Sequence, residues 1–589
     1  MNRRSKRLRR ASVTICGMVA SDQIDPGEFS AWNPGIQSEI PMTYRQLETI
    51  YDLGNVTSDF QNINDLAATT GLPVEELVDF RVSRLVLHEV IVRVTADVVV
   101  MEGEKEEDLG INFRAIANCI LKKYVKPCLG DIEQKFLQRQ QQVQLRVDEE
   151  LTKLLGDDNR PAVTRVSLVS RLLGKKNSLR KQDSFDREAR EMASIARYKQ
   201  AGLESVDELD AAVKRSFYRV LGSIVATRGY IGRDLHLIRD VCTKHALHYL
   251  ASQDIGLRIS QLVDEAIRHE GYRAIPDADK AILFSLKGAS AAVKSSLRPR
   301  LRELMNELGI EANAYGTISP DIWRRLLIDY DGLGEAYKYA GRLSSKEVNV
   351  IDGKLDRYIR DKAEKRGAIP HLMVDRFRFD SFDSEKVSRV LQDTYVRHID
   401  TMYMYFIITP PEATVERGWL RGLERGRYKA VDDFLGHCVE AYVGMPKLLF
   451  KYLGKTRPKY RFEFLDNSVP KGSFPDLVAR GSEEMMQIFR IAPLIDIERF
   501  QRINELAKSP DKVHAEPGEL VVSKNLHFIR QCVKRFNRIE FVDAGSERVY
   551  LEVYRGSFEV VEQDLFRENL QDETLRQALI CLAPELSCE

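Results

Sequence analysis

The chain has few features of a cross-linked, metal-bound or membrane-spanning protein. Its eight cysteines (Cys16, Cys119, Cys128, Cys242, Cys438, Cys532, Cys581 and Cys588) form no C-x-x-C pair and no Cys/His ligand spacing. That pattern argues against structural zinc and for a reducing compartment. No apolar run approaches the roughly 20 residues needed to span a bilayer. An excess of one charge is also missing: 89 basic residues face 88 acidic ones, for a net charge of +1. The whole molecule is therefore not expected to bind nucleic acid electrostatically. What remains is an ordinary soluble composition, 43% hydrophobic and 30% charged over 589 residues, enough for about three or four domains.

Charge is uneven at the start of the chain. Residues 1–40 open with Arg3, Arg4, Lys6, Arg7, Arg9 and Arg10 and read as a basic disordered arm that can touch anionic surfaces weakly. The apolar run Val13 to Ala20 matches only the lower length limit of a secretion-signal core. Residues 41–275 read as helical. From Gly130 to Gly156, the residues Ile132, Phe136, Val143, Val147, Leu151 and Leu154 recur at intervals near three and four, the spacing of an amphipathic helix. Gly174 to Asp186 is polar and reads as a linker, placed at about 174–190. Leu85 to Val100 is so rich in β-branched residues that buried helix and strand cannot be separated there.

From Ala281 the pattern changes. Short apolar strands at 281–286, 312–318, 370–375, 402–408 and 461–465 alternate with helical segments at Ser296–Leu308, Pro320–Tyr330 and Val348–Arg366. Such alternation predicts a parallel sheet with helices on both faces and ligands at the C-terminal strand ends. The first strand runs into Gly288-Ala-Ser-Ala-Ala-Val-Lys-Ser295. A phosphate-binding loop needs G-x-x-x-x-G-K-[ST], with backbone N–H groups around the phosphates, a lysine on the β/γ-phosphates and a hydroxyl on Mg²⁺. Every required position fits except Val293, where a β-branched side chain replaces the second glycine. The last hundred residues read as a separate small α+β unit, with a hairpin formed by Arg538–Asp543 and Arg548–Tyr554.

Three further clusters could carry chemistry, and each has a plain structural alternative. Asp321 follows Ser319 and Pro320 in a helical first turn, where it either complements the helix dipole or serves as a general base. Asp375 ends the third strand beside Arg376 and Arg378; it is either a salt-bridged turn residue or an acid near Mg²⁺. Arg417, Arg421 and Arg425 fall four apart on one helix face, among Gly418, Gly422 and Gly426. They suit a hinged lid over a triphosphate, unless Glu416 and Glu424 make the face a solvated, salt-bridged surface.

The ordered set Leu283–Leu297, Ser319–Arg324, Leu372–Phe382, Thr409–Arg427 and Phe464–Ala479 resembles the zeta-toxin-like P-loop kinases over residues 280–481. The resemblance implies ATP and Mg²⁺ as cofactors. Gly288, Lys294, Ser295 and Ser296 would bind nucleotide, and Ser295 and Asp375 would lie at the metal. Asp321 would be the base, with Arg417 and Arg425 or Arg427 as lid arginines. It also implies a small-molecule alcohol as acceptor, in that family typically UDP-N-acetylglucosamine. The expected architecture is thus multidomain α and α/β: a mostly helical N-terminal region, a kinase-like parallel α/β domain at 280–481 and an α+β unit at 482–589. Two functions follow, a phosphotransferase with a degenerate phosphate loop or a catalytically impaired pseudokinase serving as a binding module. A protein partner would use the helical region. The cytoplasm is the expected compartment, with export as a toxin or effector the alternative.

Overall fold

The computed structural model describes residues 29–103, 107–158, 176–292, 297–311, 314–376, 395–470 and 473–588. Most of the expected basic arm, together with Val293, Lys294, Ser295, Ser296 and Arg378, lies outside these residues. Residues 29–40, expected to end that arm, instead pack against the body of the protein. Lys338 Nζ sits 4.0 Å from the Phe29 ring centroid, the Gln37 amide donates to Tyr339 Oη at 3.2 Å, and Ser38 Oγ donates to Asp432.

The N-terminal region is helical. Asp207 and Asp234 each cap a helix by accepting an amide three residues on, from Asp210 and Leu237, which satisfies otherwise unpaired N–H groups. The ambiguous stretch forms the helix Val82–Asp97, with eleven buried residues facing all directions. A helix buried on every side has no polar face, so its sequence lacks the 3.6-residue signature. Gly130–Gly156 falls inside the helix Leu129–Asp158. The polar segment read as a linker is a correction: from Lys176 the chain is helical to Glu204. Its Lys, Arg, Gln and Glu residues have high helix propensity, and Ile195 and Tyr198 are buried, with Tyr198 stacked on Phe217 of the helix Glu208–Arg228 at 4.9 Å.

The five expected strands form: β1 Ala281–Gly288, β2 Tyr315–Ile318, β3 His371–Val374, β4 Ile399–Ile408 and β5 Lys459–Asp466. They lie in the order β2-β3-β1-β4-β5, all parallel. Because β1 is central, the chain leaves it toward β2 on one side and crosses it again from β3 to β4. The C-terminal ends of β1 and β3 therefore flank a point where the winding reverses, the usual place for a ligand crevice.

The sheet does not stop at β5. It continues through β6 Asp476–Ser482, β7 Met485–Ile488, β8 Arg538–Val542, β9 Val549–Tyr554 and β10 Ser557–Val560. The expected hairpin is present as antiparallel β8 and β9. Its separateness is corrected: β8 pairs parallel with β7, Met485 opposite Arg538 through Ile488 opposite Phe541. Ile539 and Phe541 are buried, so this strand gains a covered neighbour instead of presenting an open edge. Among the described residues, no helix is long and apolar enough to cross a membrane.

Candidate functional site

A cavity of about 960 Å³ opens at the C-terminal ends of β1, β2 and β3, at the upper end of the range for small-molecule sites. Its lining carries thirteen lysines and arginines against eight carboxylates, so it suits an anionic ligand.

The floor is the turn after β1. Gly288 is not left-handed; its need for glycine comes from β4, since a Cβ there would lie 3.1 Å from Ile407 Cβ and 3.2 Å from its carbonyl oxygen. The left-handed residue is Ala291, with φ of 60°, a conformation that costs a non-glycine residue about 1 kcal/mol. Asn467 braces the turn from the loop after β5, donating through Nδ2 to the Ala292 carbonyl at 2.9 Å. Ser290, Ala291 and Ala292 line the cavity, and the chain leads from them into the expected phosphate ligands.

Asp321 lies in the short turn Pro320–Trp323 beyond β2. Ser319 occupies the expected cap position without capping; its Oγ accepts from Arg298 Nη2 at 3.4 Å. Asp321 Oδ1 accepts from Arg324 Nε at 3.0 Å, and Oδ2 accepts from Arg427 Nη2 at 2.6 Å. Asp321 is about half exposed at the cavity, and the desolvation it does undergo opposes its ionisation. Arg427, Arg324 and Arg421 overcome it and hold the carboxyl well below the usual carboxylate range.

Asp375, just past β3, is held by its amide to the Ile318 carbonyl at 2.9 Å and lies 3.6 Å from Arg298 Nη2. Arg376 turns away to Asp352 and Asp356, at 2.9 and 2.7 Å. Burial works against its charge, but those two carboxylates keep it protonated. Among the described residues no group of three or more His, Cys, Asp or Glu side chains converges to hold a metal. Mg²⁺ commonly uses only one or two carboxylates beside water and phosphate oxygens, so Asp375 remains chemically suited to that role.

The expected lid is the helix Pro411–Arg425, and Arg417, Arg421 and Arg425 all reach the cavity from it. Its hinges are corrected. A Cβ on Gly418 would strike the Phe434 ring at 2.0 Å, and one on Gly422 the Tyr428 ring at 2.5 Å. Both are glycines because aromatic rings pack on them, inside an unbroken helix. Only Gly426, at φ 66°, ends it in the left-handed conformation. Arg417 Nη2 donates to the Val469 carbonyl at 2.7 Å, while its buried Nη1 has no hydrogen-bond partner among the described residues. Burial lowers its pKa, so a ligand oxygen at Nη1 would satisfy a donor now left bare. Arg425 is paired to Glu107 at 2.7 Å.

Sequence reasoning missed several residues here. Arg298, at the start of the helix after the loop, joins Ser319 to Asp375. Lys429 contacts His437; burial pushes it down to about 7 against the pull of Asp433, with Arg421 and Arg342 adding to the fall. The helical region and the segment before it form a wall, through Glu39, Arg45, Glu48, Glu107 and Arg114. Glu107 meets Arg425 and Arg114 lies near Arg325 across more than two hundred residues of chain, which leaves no local signal.

No family model matches the chain, and no curated protein matches it. Among solved structures, a chain described under the PezAT chromosomal toxin-antitoxin system of the human pathogen Streptococcus pneumoniae is 12% identical. That match covers 54% of this chain and 92% of the other, with a TM-score of 0.19. At that level of similarity, function rests on this chain's own residues.

Proposed function

We propose that this chain is an ATP- and Mg²⁺-dependent phosphotransferase acting on a small-molecule alcohol. One observation carries the reading: the turn after β1, Asp321 after β2, Asp375 after β3 and the arginines of the helix after β4 meet in a single basic cavity. In a reaction of this class, catalysis is mostly positioning and charge neutralisation. Lys294 and Ser295 would hold the phosphates and Mg²⁺. Arg417, Arg425 and Arg427 would neutralise charge on the transferring group, and Asp321 would accept the acceptor's proton. Ser295 and Asp375 would hold Mg²⁺, which would supply Lewis-acid polarisation of the phosphate oxygens.

A second reading, a nucleotide-binding module without turnover, is favoured by one specific feature. Both Asp321 oxygens are taken up by Arg324 and Arg427, and a carboxylate stabilised in this way is a weak base. Catalysis therefore requires Arg427 to exchange Asp321 for phosphate oxygens when nucleotide binds. ATP consumption with a panel of alcohols, nucleotide sugars included, separates the two readings. The phosphotransferase predicts turnover that Lys294→Ala and Asp321→Asn each abolish. Turnover indifferent to both changes would place the chemistry elsewhere.

A further inference from the structure

The helix Asp108–Cys119 belongs to the N-terminal helical region, yet it packs on the turn that carries Asp321. A Cβ on Gly110 would lie 3.7 Å from Ile322 Cβ. From this helix Arg114 enters the cavity wall together with Arg325 and Tyr330. Glu107, which also lines the cavity, is already engaged by Arg425 at 2.7 Å. Arg325 lies over the Tyr330 ring at 4.5 Å and donates to the Arg425 carbonyl at 3.3 Å. Among the described residues its other N–H groups have no hydrogen-bond partner, which leaves the geometry of a guanidinium fork.

Two guanidinium groups thus share one cavity wall. Burial lowers the Arg114 pKa, the Arg325 charge lowers it further, and Tyr330 opposes both. A site that crowds like charges in a partly buried place is completed by an anion, and paired guanidinium forks match phosphate oxygens in number and geometry. Position points the same way. Arg325 follows Asp321 by four residues across the turn Pro320–Trp323 and the helix Arg324–Leu327. Asp321, Arg325 and Arg114 line the same cavity. A hydroxyl placed at Asp321 therefore shares its cavity with this arginine pair.

We propose that Arg114 and Arg325 form an anion subsite for a phosphate or diphosphate group on the acceptor, so that the helical region supplies part of the substrate site. The assignment rests on the phosphotransferase reading for the word acceptor. The anion site itself does not, and the two can fail separately.

The test is calorimetric titration of inorganic pyrophosphate into the full-length chain carrying Lys294→Ala, which removes the loop lysine as a competing anion ligand. Pyrophosphate binding is expected to persist there. Adding Arg114→Gln or Arg325→Gln is expected to weaken it at least tenfold, while Arg114→Lys, which keeps charge but loses the fork, weakens it less. Circular dichroism and melting confirm folding, and the lysine variants of both positions replace any glutamine variant that does not fold. Equal affinity in the glutamine variants and their parent overturns the subsite, as does loss of all binding with Lys294→Ala alone. Citrate that binds more tightly than pyrophosphate, and is lost in the same variants, overturns the phosphate assignment in favour of a carboxylate. An absence of ATP stabilisation alongside arginine-dependent pyrophosphate binding removes the phosphotransferase reading and leaves the subsite standing.

Discussion

Arg427 Nη2 reaches Asp321 Oδ2 at 2.6 Å, tying the segment after the 411–425 helix to the turn after β2 across the mouth of the cavity. The pair is partly exposed, so it is worth at most about 1 kcal/mol to stability. Its expected weight is on the chemistry. Arg427→Ala should shift the melting midpoint little and reduce kcat by about 10²–10³-fold, the usual effect of removing one transition-state donor. It should also let the Asp321 pKa rise toward its ordinary value, because the largest charge holding it down is gone. A pH–rate profile whose acidic limb moves upward in Arg427→Ala checks this; an unmoved limb and unchanged kcat count against the pairing.

Ala291 concerns the loop itself. Its φ of 60° is strained for alanine and free for glycine. Ala291→Gly should raise stability by about 0.5–1 kcal/mol in chemical denaturation. A destabilised variant would show that the turn does not adopt this conformation. Val293→Gly tests the neighbouring departure from the phosphate-loop pattern, and it should tighten ATP binding by freeing backbone N–H groups for the phosphates.

A buried charge network predicts how stability responds to acid. His88 Nε2 donates to Glu347 Oε1 at 2.6 Å, and Arg84 Nε donates to the same carboxylate at 2.6 Å. His88 and Glu347 are fully buried. Burial lowers the His88 pKa to about 4, with the Lys354 charge adding to the fall and Glu347 opposing it. Burial tends to raise Glu347, but His88 and Arg84 take it down to about 2. The unfolded chain thus binds more protons than the folded one at His88 between about pH 6.5 and 4. At Glu347 the same holds between about 4.5 and 2. Stability is greatest above 6.5 and falls with pH through both windows, by a few kcal/mol across the first. His88→Gln should flatten the slope between pH 6.5 and 4 in chemical denaturation and narrow the lower window, because His88 helps hold the Glu347 carboxyl down while Arg84 remains. A slope unchanged in that variant would contradict the assignment.

The five parallel strands were legible because each is a short apolar run bounded by turn residues, a pattern local to the sequence. The arginine face on the 411–425 helix was legible for the same reason, through spacing of four. Pairing between distant strands was not. Nothing near Arg538 announces that β8 lies beside β7, because the selecting contacts come from the neighbouring strand. Gly418 and Gly422 misled as hinges because a glycine packed under an aromatic ring and a glycine that bends the chain look alike in sequence. Polarity at about 174–190 suggested a linker, although its Lys, Arg, Gln and Glu residues are as much helix formers as loop residues. Arg114 joins the cavity only through folding of the helical region onto the turn after β2, which no local motif encodes.

Arg417 offers a cleaner contrast between stability and function. Its Nη1 lacks a protein partner among the described residues, so Arg417→Met removes a buried unsatisfied donor and should change stability by about 1 kcal/mol or less. Nucleotide turnover should fall by at least tenfold. Equal turnover in the variant would place the transferring phosphate away from the lid helix.

The claim that this cavity binds nucleotide through the loop after β1 is tested most directly by the thermal midpoint with and without ATP and Mg²⁺. A ligand that binds only the folded chain stabilises it by about 2.7 kcal/mol at a hundredfold excess over its Kd. The account predicts a midpoint that rises with ATP·Mg²⁺ concentration in the natural chain and stays fixed in Lys294→Ala. No rise in the natural chain at millimolar ATP·Mg²⁺, or an equal rise in both proteins, would contradict it.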